Sequence, residues 1–211
     1  MRKIPTFFWE YRGHDIPDPD LTTYRLCVEG AVERRLALSL EELGRRLRRV
    51  EIDRRFYCVN GWSLKALWAG YPVADVLGLA GSISGAAYLR TTSLGGYEDT
   101  TAIADLVADE AMLVTHMNGA PLPPARGKPV RLMRFDCYQF KGVKAVARLE
   151  VVEGYHPGTW EKVGYSDATV QPYPHLAIDC DEELMPESRV LASIKGPSSG
   201  EEKRELDQIR D

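Results

Sequence analysis

The stretch VKAVARLEVV, residues 143–152, alternates apolar with other side chains. Every second position is apolar: Val143, Ala145, Ala147, Leu149 and Val151. Lys144, Val146, Arg148, Glu150 and Val152 fall between them. Because successive side chains of a strand point to opposite faces, this period of two predicts a strand with one buried face.

Two elements are predicted before this strand. The segment YRLCVEGAVERRLAL, which starts at Tyr24, alternates in two runs around Gly30 and predicts a hairpin. Ser39 and Glu42 form a capping box, so a helix is expected to begin just after Ser39. The apolar face of that helix would consist of Leu40, Leu43, Leu47 and Val50.

Shorter signals fill the middle of the chain. Pro72 and Gly81 are typical of the start and the end of a second helix. Residues 56–59, 87–92 and 112–117 favour strands, and Asn118-Gly119 favours a turn. Strands and short helices without a regular alternation predict an α+β fold with mixed β-sheets. We expect one domain over residues 1–192 and a polar tail over 193–211.

Composition and net charge exclude some classes of protein and of partner. The chain has 211 residues, of which 44% are hydrophobic and 27% charged, as in ordinary folded domains. The formal net charge of -4 argues against nucleic acid as a partner. The arginines at residues 45–49 are interpreted as a solvated helix end, where the helix dipole favours cations.

The four cysteines are far apart and form no CxxC pair: Cys27, Cys58, Cys137 and Cys180. A structural zinc site is therefore not expected. The start MRKIPTFFWEY contains neither an apolar run of signal-peptide length nor a twin-arginine pattern, and no apolar run reaches the length of a membrane span. We expect reduced thiols, a cytoplasmic location and no membrane span.

Cys58 lies in the segment YCVNGWSLKALWAGYPVADVL, residues 57–77. A cysteine at a strand end is most often a small buried apolar group. This segment, however, resembles the cysteine segment of the sulfite oxidase fold family of molybdopterin oxidoreductases. Within that family it is most similar to the bacterial molybdenum-dependent methionine sulfoxide reductase catalytic subunits. The resemblance implies a sulfite oxidase-type molybdopterin-binding fold in which the Cys58 thiolate ligates molybdenum.

Further segments resemble the same family in the same order. NGAPLPPARGKPVRL, residues 118–132, is similar to its Pro-rich loop with an arginine. YQFKGVKAVARLEV, residues 138–151, is similar to its phosphate-binding turn and the strand that follows. GTWEKVGY, residues 158–165, resembles a late segment, and the match extends from about Phe7 to Tyr173. Several motifs in one order are far more specific than any one of them.

The resemblance implies a molybdenum-molybdopterin cofactor. Lys141 and Lys144 supply cations near Gly142, where the main chain is open to an anion. Without the resemblance, Lys144 and Arg148 would be interpreted as the solvent-exposed face of a strand. The segment FFWEY at residues 7–11 would be interpreted as an aromatic edge packed on the core. The implied cofactor-binding positions are Trp9, Glu10, Tyr11, Cys58, Ser93, Arg126, Arg131, Lys141, Gly142, Val143 and Lys144.

The predicted activity is two-electron oxygen-atom transfer on a small substrate of the sulfoxide, sulfite-like or N-oxide class. Cys58, Asn60 and Trp62 would form the catalytic site, and a separate electron-transfer protein would exchange the electrons. The arginines that sulfite oxidases carry near the cysteine are missing, which argues against sulfite. Asn60 replaces an acidic residue of the sulfoxide reductases, and Arg126 replaces an asparagine or histidine. The substrate of the sulfoxide reductases is therefore not assigned to this chain.

Two alternatives stay open. In the first, the chain is a degenerate module that holds a pterin or a protein partner without redox chemistry. The differences from the family at Gly13, Asn60 and Arg126 favour this alternative. In the other, Cys58 is an inert buried thiol in a structural domain. The export signal, the haem domain and the dimerisation domain found in members of the family are absent from this sequence, which predicts a minimal catalytic core.

Overall fold

A computed structural model describes residues 18–57, 63–81 and 86–163. Within these residues the strands are β1 (Leu26–Gly30), β2 (Leu36–Leu38), β3 (Val50–Tyr57), β4 (Ser63–Pro72), β5 (Tyr88–Ser93), β6 (Glu98–Ala102), β7 (Met112–Met117), β8 (Ala120–Pro121), β9 (Arg131–Met133) and β10 (Val146–Val152). The helices are α1 (Leu40–Arg46), α2 (Val73–Ala80) and α3 (Ile103–Ala108), with 3-10 turns at Pro124–Arg126 and Glu161–Val163. The predicted tail over 193–211 lies outside these residues, and the domain over 1–192 stays a prediction.

The strands form two sheets. The first sheet has the order β2-β1-β10-β5-β6, and the second has the order β3-β4-β7-β8 with β9 paired to β7. β1 and β10 run parallel, whereas their other neighbours in the first sheet are antiparallel. Mixed sheets with a few short helices confirm the α+β prediction.

The hairpin and the first helix follow their local signals. Leu26, at the start of β1, pairs with Leu38 of β2. The Ser39 hydroxyl accepts from the Glu42 N–H, and the Glu42 carboxylate accepts from the Ser39 N–H, which completes the capping box. α1 is shorter than predicted, however. Leu47 is already extended at the C-cap, and Val50 begins β3 because its backbone pairs with Gly70 of β4.

β10 starts later than the alternation predicts. Residues 143–145 are the end of a turn over residues 138–145, and Ala145 has a φ of 46°. A bulge against β5 between Val146 and Arg148 then shifts the pattern, so that Val146, predicted to face outward, is fully buried. The turn is held by other loops instead: the Ala145 N–H donates to the Gly127 carbonyl oxygen and the Val146 N–H to that of Val130.

Two apolar clusters fix the sheets. The larger one packs α2 and α3 against the first sheet and includes Leu77, Leu89 and Leu149. The smaller one joins Phe56 of β3 to Trp68 of β4, whose rings meet edge to face at 5.5 Å between centroids. The end of β3 is therefore anchored in the core.

Candidate functional site

The end of β3 lies against the predicted phosphate-binding turn. Tyr57 and Tyr138 form an isolated parallel bridge, and the Gln139 N–H donates to the Tyr57 carbonyl oxygen at 2.9 Å. Cys58 is the next residue along the chain. The main chain immediately before Cys58 is thus bonded to the segment that carries Gly142 and its neighbours.

Arg131 connects the same strand end to two loops. Its guanidinium lies 5.2 Å from the centre of the Phe56 ring. One terminal nitrogen donates to the Gln139 side-chain oxygen at 3.3 Å, and the other donates to the Arg126 carbonyl oxygen at 3.4 Å. Since Arg131 is only 3% exposed, the structure holds a positive charge inside the protein at this point.

The Pro-rich loop packs directly on the turn. Gly127 has a φ of 102°, and a Cβ atom there would lie 3.0 Å from the Cα and Cβ atoms of Lys144. Gly127 is therefore required by both its conformation and its close approach. Arg126, in the 3-10 turn before Gly127, and Lys144 are half-buried. Together with Arg131 they make three cationic residues that border the contact between the loop and the turn.

One main-chain donor of the turn at residues 138–145 has no acceptor among the described residues. The Gly142 N–H donates to the Gln139 carbonyl oxygen. The Val143 N–H, in a residue with no exposed surface, donates no hydrogen bond to any described residue. A buried amide without an acceptor costs free energy that a bound anion would recover. With Arg131 and Lys144 nearby, this donor set suits a phosphate group.

Gly142 itself is required by packing. A Cβ atom at this position would lie 2.5 Å from the Gln139 side-chain oxygen and 2.8 Å from the Leu132 carbonyl oxygen. Any side chain would therefore push the turn away from Gln139.

The β5–β6 hairpin borders the turn on its other side. The Leu94 N–H donates to the Ala145 carbonyl oxygen at 2.8 Å, and the Tyr97 hydroxyl donates to that of Phe140. Ser93 is buried here, and its hydroxyl oxygen accepts from the N–H groups of Gly95 and Tyr97. Ser93 shapes the hairpin turn next to the region where the sequence places the cofactor.

The Lys141 side chain is paired with two carboxylates. Its ammonium lies 2.6 Å from a carboxylate oxygen of Asp99 and 2.6 Å from one of Glu161. All three side chains are almost fully buried. The role of Lys141 as a phosphate ligand stays a prediction, and the structure places its charge between two carboxylates.

Gln139 was not among the predicted site residues. Its side chain accepts from Arg131 and donates to the Arg134 carbonyl oxygen, while its main chain binds Tyr57. The available signal in the sequence was an amide between two aromatic residues, Tyr138 and Phe140.

The remaining predicted residues are not described by the structure: Trp9, Glu10, Tyr11, Cys58, Asn60 and Trp62 lie outside the described ranges. Within those ranges, no group of three or more His, Cys, Asp or Glu side chains is arranged to hold a metal ion. None of the helices described is both long and apolar enough to cross a membrane.

Comparison with known proteins identifies the family. Residues 13–160 match the model of the oxidoreductase molybdopterin binding domain, which covers more than half of the chain. The chain belongs to the oxidoreductase molybdopterin-binding family. This membership confirms the resemblance and makes the chain a molybdopterin-dependent oxidoreductase of the sulfite oxidase type.

Individual relatives agree with the family. The chain is 30% identical over 166 residues to the uncharacterized oxidoreductase YuiH of Bacillus subtilis, covering 78% of this chain and 83% of that protein. It is 31% identical over 163 residues to a putative protein-methionine-sulfoxide reductase subunit, YedZ1, of Azospira oryzae, covering 77% and 62%. It is 30% identical over 185 residues to the protein-methionine-sulfoxide reductase catalytic subunit MsrP of Xanthomonas campestris, covering 76% and 56%. The chain therefore spans a little over half the length of the two sulfoxide reductase proteins.

A solved structure confirms the fold of the family. The sulfane dehydrogenase SoxCD from Paracoccus pantotrophus superimposes with a TM-score of 0.61 at 22% identity, covering 68% of this chain and 41% of that chain. The sulfite oxidase-type molybdopterin-binding fold predicted from the sequence is thus present.

Proposed function

We propose that this chain binds molybdenum-molybdopterin, with the Cys58 thiolate as the protein ligand of molybdenum. The observation that carries this proposal is the hydrogen bond from the Gln139 N–H to the Tyr57 carbonyl oxygen. It fixes the main chain next to Cys58 against the turn that offers donors to a phosphate. A cofactor with a phosphate at one end and a metal at the other needs these two features close together.

In this proposal the cofactor phosphate is bound at residues 142–144. The Val143 N–H gains the acceptor that it lacks among the described residues, and Lys144 and Arg131 balance about two negative charges. Arg126 closes the site from the Pro-rich loop. The further positions proposed to contact the pterin are Trp9, Glu10, Tyr11 and Ser93.

The proposed reaction is oxygen-atom transfer. When bound, molybdenum-molybdopterin supplies a metal centre that accepts or donates two electrons and an oxygen atom. Reduction of a sulfoxide would consume two electrons and two protons and would release a sulfide and water. Asn60 and Trp62 are proposed to border the substrate next to Cys58, and sulfite-like and N-oxide substrates remain in the proposed class.

The electrons require a second protein in this proposal. Two relatives are named as a subunit and a catalytic subunit, which supports a separate electron-transfer partner. The cytoplasmic location stays a prediction.

Turnover tests the proposed reaction. The holoprotein would be supplied with a chemically reduced viologen as electron donor and with methyl sulfoxides or N-oxides as acceptors. We expect oxidation of the viologen that depends on the substrate, and its loss in Cys58→Ser although that variant folds. Cys27→Ser is the matched control, because Cys27 is a free, half-buried thiol on β1 and is not among the proposed site residues. Turnover of Cys58→Ser at the wild-type rate would refute the proposal.

A further inference from the structure

Lys141, Asp99 and Glu161 form a buried ion cluster next to the proposed phosphate site, which we call the latch. The Lys141 ammonium lies 2.6 Å from an oxygen of each carboxylate and 3.3 Å from the Thr100 carbonyl oxygen. The contacts with Glu161 and with the Thr100 carbonyl oxygen are hydrogen bonds, and the contact with Asp99 is an ion pair. The Lys141 ammonium is therefore held by three oxygen atoms of other residues.

The charge of the latch also argues against direct contact with phosphate. Burial raises the pKa of Asp99 to about 7, while Lys141 lowers it and Glu161 raises it. The latch as a whole is therefore neutral or carries one negative charge near neutral pH, depending on Asp99. A phosphate dianion would gain little from such a group.

Glu161 brings a separate segment of the chain into the latch. Residues 158–162, which we call the strap, lie along the edge of the first sheet. The Thr159 N–H donates to the Glu98 carbonyl oxygen at 2.8 Å, and the Thr159 hydroxyl accepts from the Glu98 N–H at 3.0 Å. A Cβ atom on Gly158 would lie 2.5 Å from the Glu161 carboxylate and 2.8 Å from the Glu98 carbonyl oxygen, so the strap is packed tightly.

The latch holds the turn at a second point, besides the bond to β3. Lys141 directly precedes Gly142, and its own N–H donates to the Tyr138 carbonyl oxygen at 3.1 Å. Gln139 ties the turn to Tyr57 on one side, whereas Lys141 ties it to β6 and the strap on the other. Residues 142–144 lie next to the second tie, so their position depends on it.

We propose that Lys141 is a positioning residue, which holds residues 142–144 in place for the cofactor phosphate through Asp99 and Glu161 without touching the phosphate. This inference rests on the proposed function. It assigns to the strap, which lies outside the phosphate site, a part in retaining the cofactor.

Glu161→Gln separates this role from direct binding. The variant breaks the latch on the strap and leaves Lys141 in place. If Lys141 positions the turn, Glu161→Gln and Lys141→Met both lower the affinity for the cofactor. We expect a decrease of about 10- to 100-fold, as for other residues that orient the groups in direct contact with a ligand. If Lys141 binds the phosphate itself, only Lys141→Met loses cofactor, since Glu161→Gln keeps the Lys141 ammonium and its charge.

The measurement is molybdenum per folded chain after expression in a host that makes the cofactor. Molybdenum would be measured by elemental mass spectrometry, and the folded fraction by circular dichroism. We expect Glu161→Gln to lose molybdenum per folded chain while the turnover per bound molybdenum stays near the wild-type value. A merely structural role would lower molybdenum only in proportion to the folded fraction and would contradict the proposal. Lys162→Met is the matched control, because it removes an exposed ion pair with Glu98 from the same strap.

A second readout does not need the cofactor. In the apoprotein, hydrogen exchange would follow the amides of Lys141, Gly142 and Ala145, which are bonded within the turn or to the Pro-rich loop. We expect faster exchange in Glu161→Gln than in Lys162→Met. Unchanged exchange in Glu161→Gln would overturn the proposed role of the latch, whether or not the wild type carries molybdenum. A wild type without molybdenum would by itself refute only the proposed function. If Glu161→Gln retains molybdenum but Lys141→Met loses it, Lys141 binds the phosphate directly. That result would also overturn the proposed positioning role of Lys141.

Discussion

The Gln139 N–H lies 2.9 Å, measured between nitrogen and oxygen, from the carbonyl oxygen of Tyr57. This bond joins the last described residue before Cys58 to the turn that contains Gly142. The same glutamine receives a hydrogen bond from Arg131 of the neighbouring strand β9. One buried residue thus connects the strand end, the Pro-rich loop's arginine and the turn.

Replacing the Gln139 side chain tests this connection. Gln139→Met keeps the main-chain bond to Tyr57 but removes one hydrogen-bond partner of Arg131 and the side-chain donor to the Arg134 carbonyl oxygen. We expect the free energy of unfolding to fall by about 1–3 kcal/mol, because buried polar groups lose their partners. Urea unfolding of the apoprotein measures it. Lys65→Met, which removes an exposed ion pair with Asp53, serves as a control, and an equal effect of the two variants would contradict the role of Gln139.

Gly142→Ala tests the packing of the turn. Its Cβ atom would overlap the Gln139 side-chain oxygen and the Leu132 carbonyl oxygen, so we expect a loss of about 1–3 kcal/mol in stability. Gly78→Ala in α2 is the matched control. Nothing lies within 4 Å of a Cβ atom there, and alanine favours a helix by up to ~1 kcal/mol over glycine. Thermal unfolding should therefore move in opposite directions for the two variants.

Asp99 gives stability a dependence on pH. Burial raises its pKa from 3.8 to about 7, so between these values the folded chain binds a proton that the unfolded chain has released. The contribution of this group to the free energy of unfolding is therefore lost as the pH rises through about 7. We expect the stability of the wild type relative to Asp99→Asn to fall with rising pH, by up to about 1.4 kcal/mol per pH unit.

Unfolding curves of both proteins at several pH values check this dependence. Burial also raises the pKa of Asp109, to about 6, but that group is common to the two proteins and cancels in the difference. A difference that is constant between pH 4 and 7 would show that Asp99 is already ionised across this range.

Inorganic phosphate tests the anion site in the apoprotein. We expect phosphate to raise the melting temperature more than chloride does at the same ionic strength, since it binds the folded state. Lys144→Met removes a charge-assisted hydrogen bond to phosphate, so the apparent affinity should fall about tenfold or more. Arg148→Met is the control, because Arg148 is exposed on β10 and pairs with Glu29. If the two variants respond to phosphate alike, Lys144 has no part in binding it.

Elements with strong local signals were predictable. The capping box of Ser39 and Glu42 marks the start of α1, and Gly81, with a φ of 95°, marks the end of α2. α3 had no such signal, since its N-cap is Ala102 without a side-chain hydrogen bond. β9 is only three residues long. For β4, a period of two from Leu64 to Trp68 was present in the sequence but no strand was predicted there.

The candidate site was predictable in part. The order of the motifs places Arg131 and Lys144 in one region, and the structure brings both to the turn near Gly142. The partners of Lys141 could not be found in the same way. Asp99 lies on another strand and Glu161 in the strap, so their meeting depends on the packing of the first sheet.

Molybdenum per chain tests the central claim most directly. Wild type, Cys58→Ala and Cys27→Ala would be produced in a host that makes the cofactor and measured by elemental mass spectrometry. We expect near-stoichiometric molybdenum in the wild type and in Cys27→Ala, and its loss in Cys58→Ala, because the thiolate is the proposed protein ligand. A wild type without molybdenum, when another member of the family is loaded in the same host, would contradict the account.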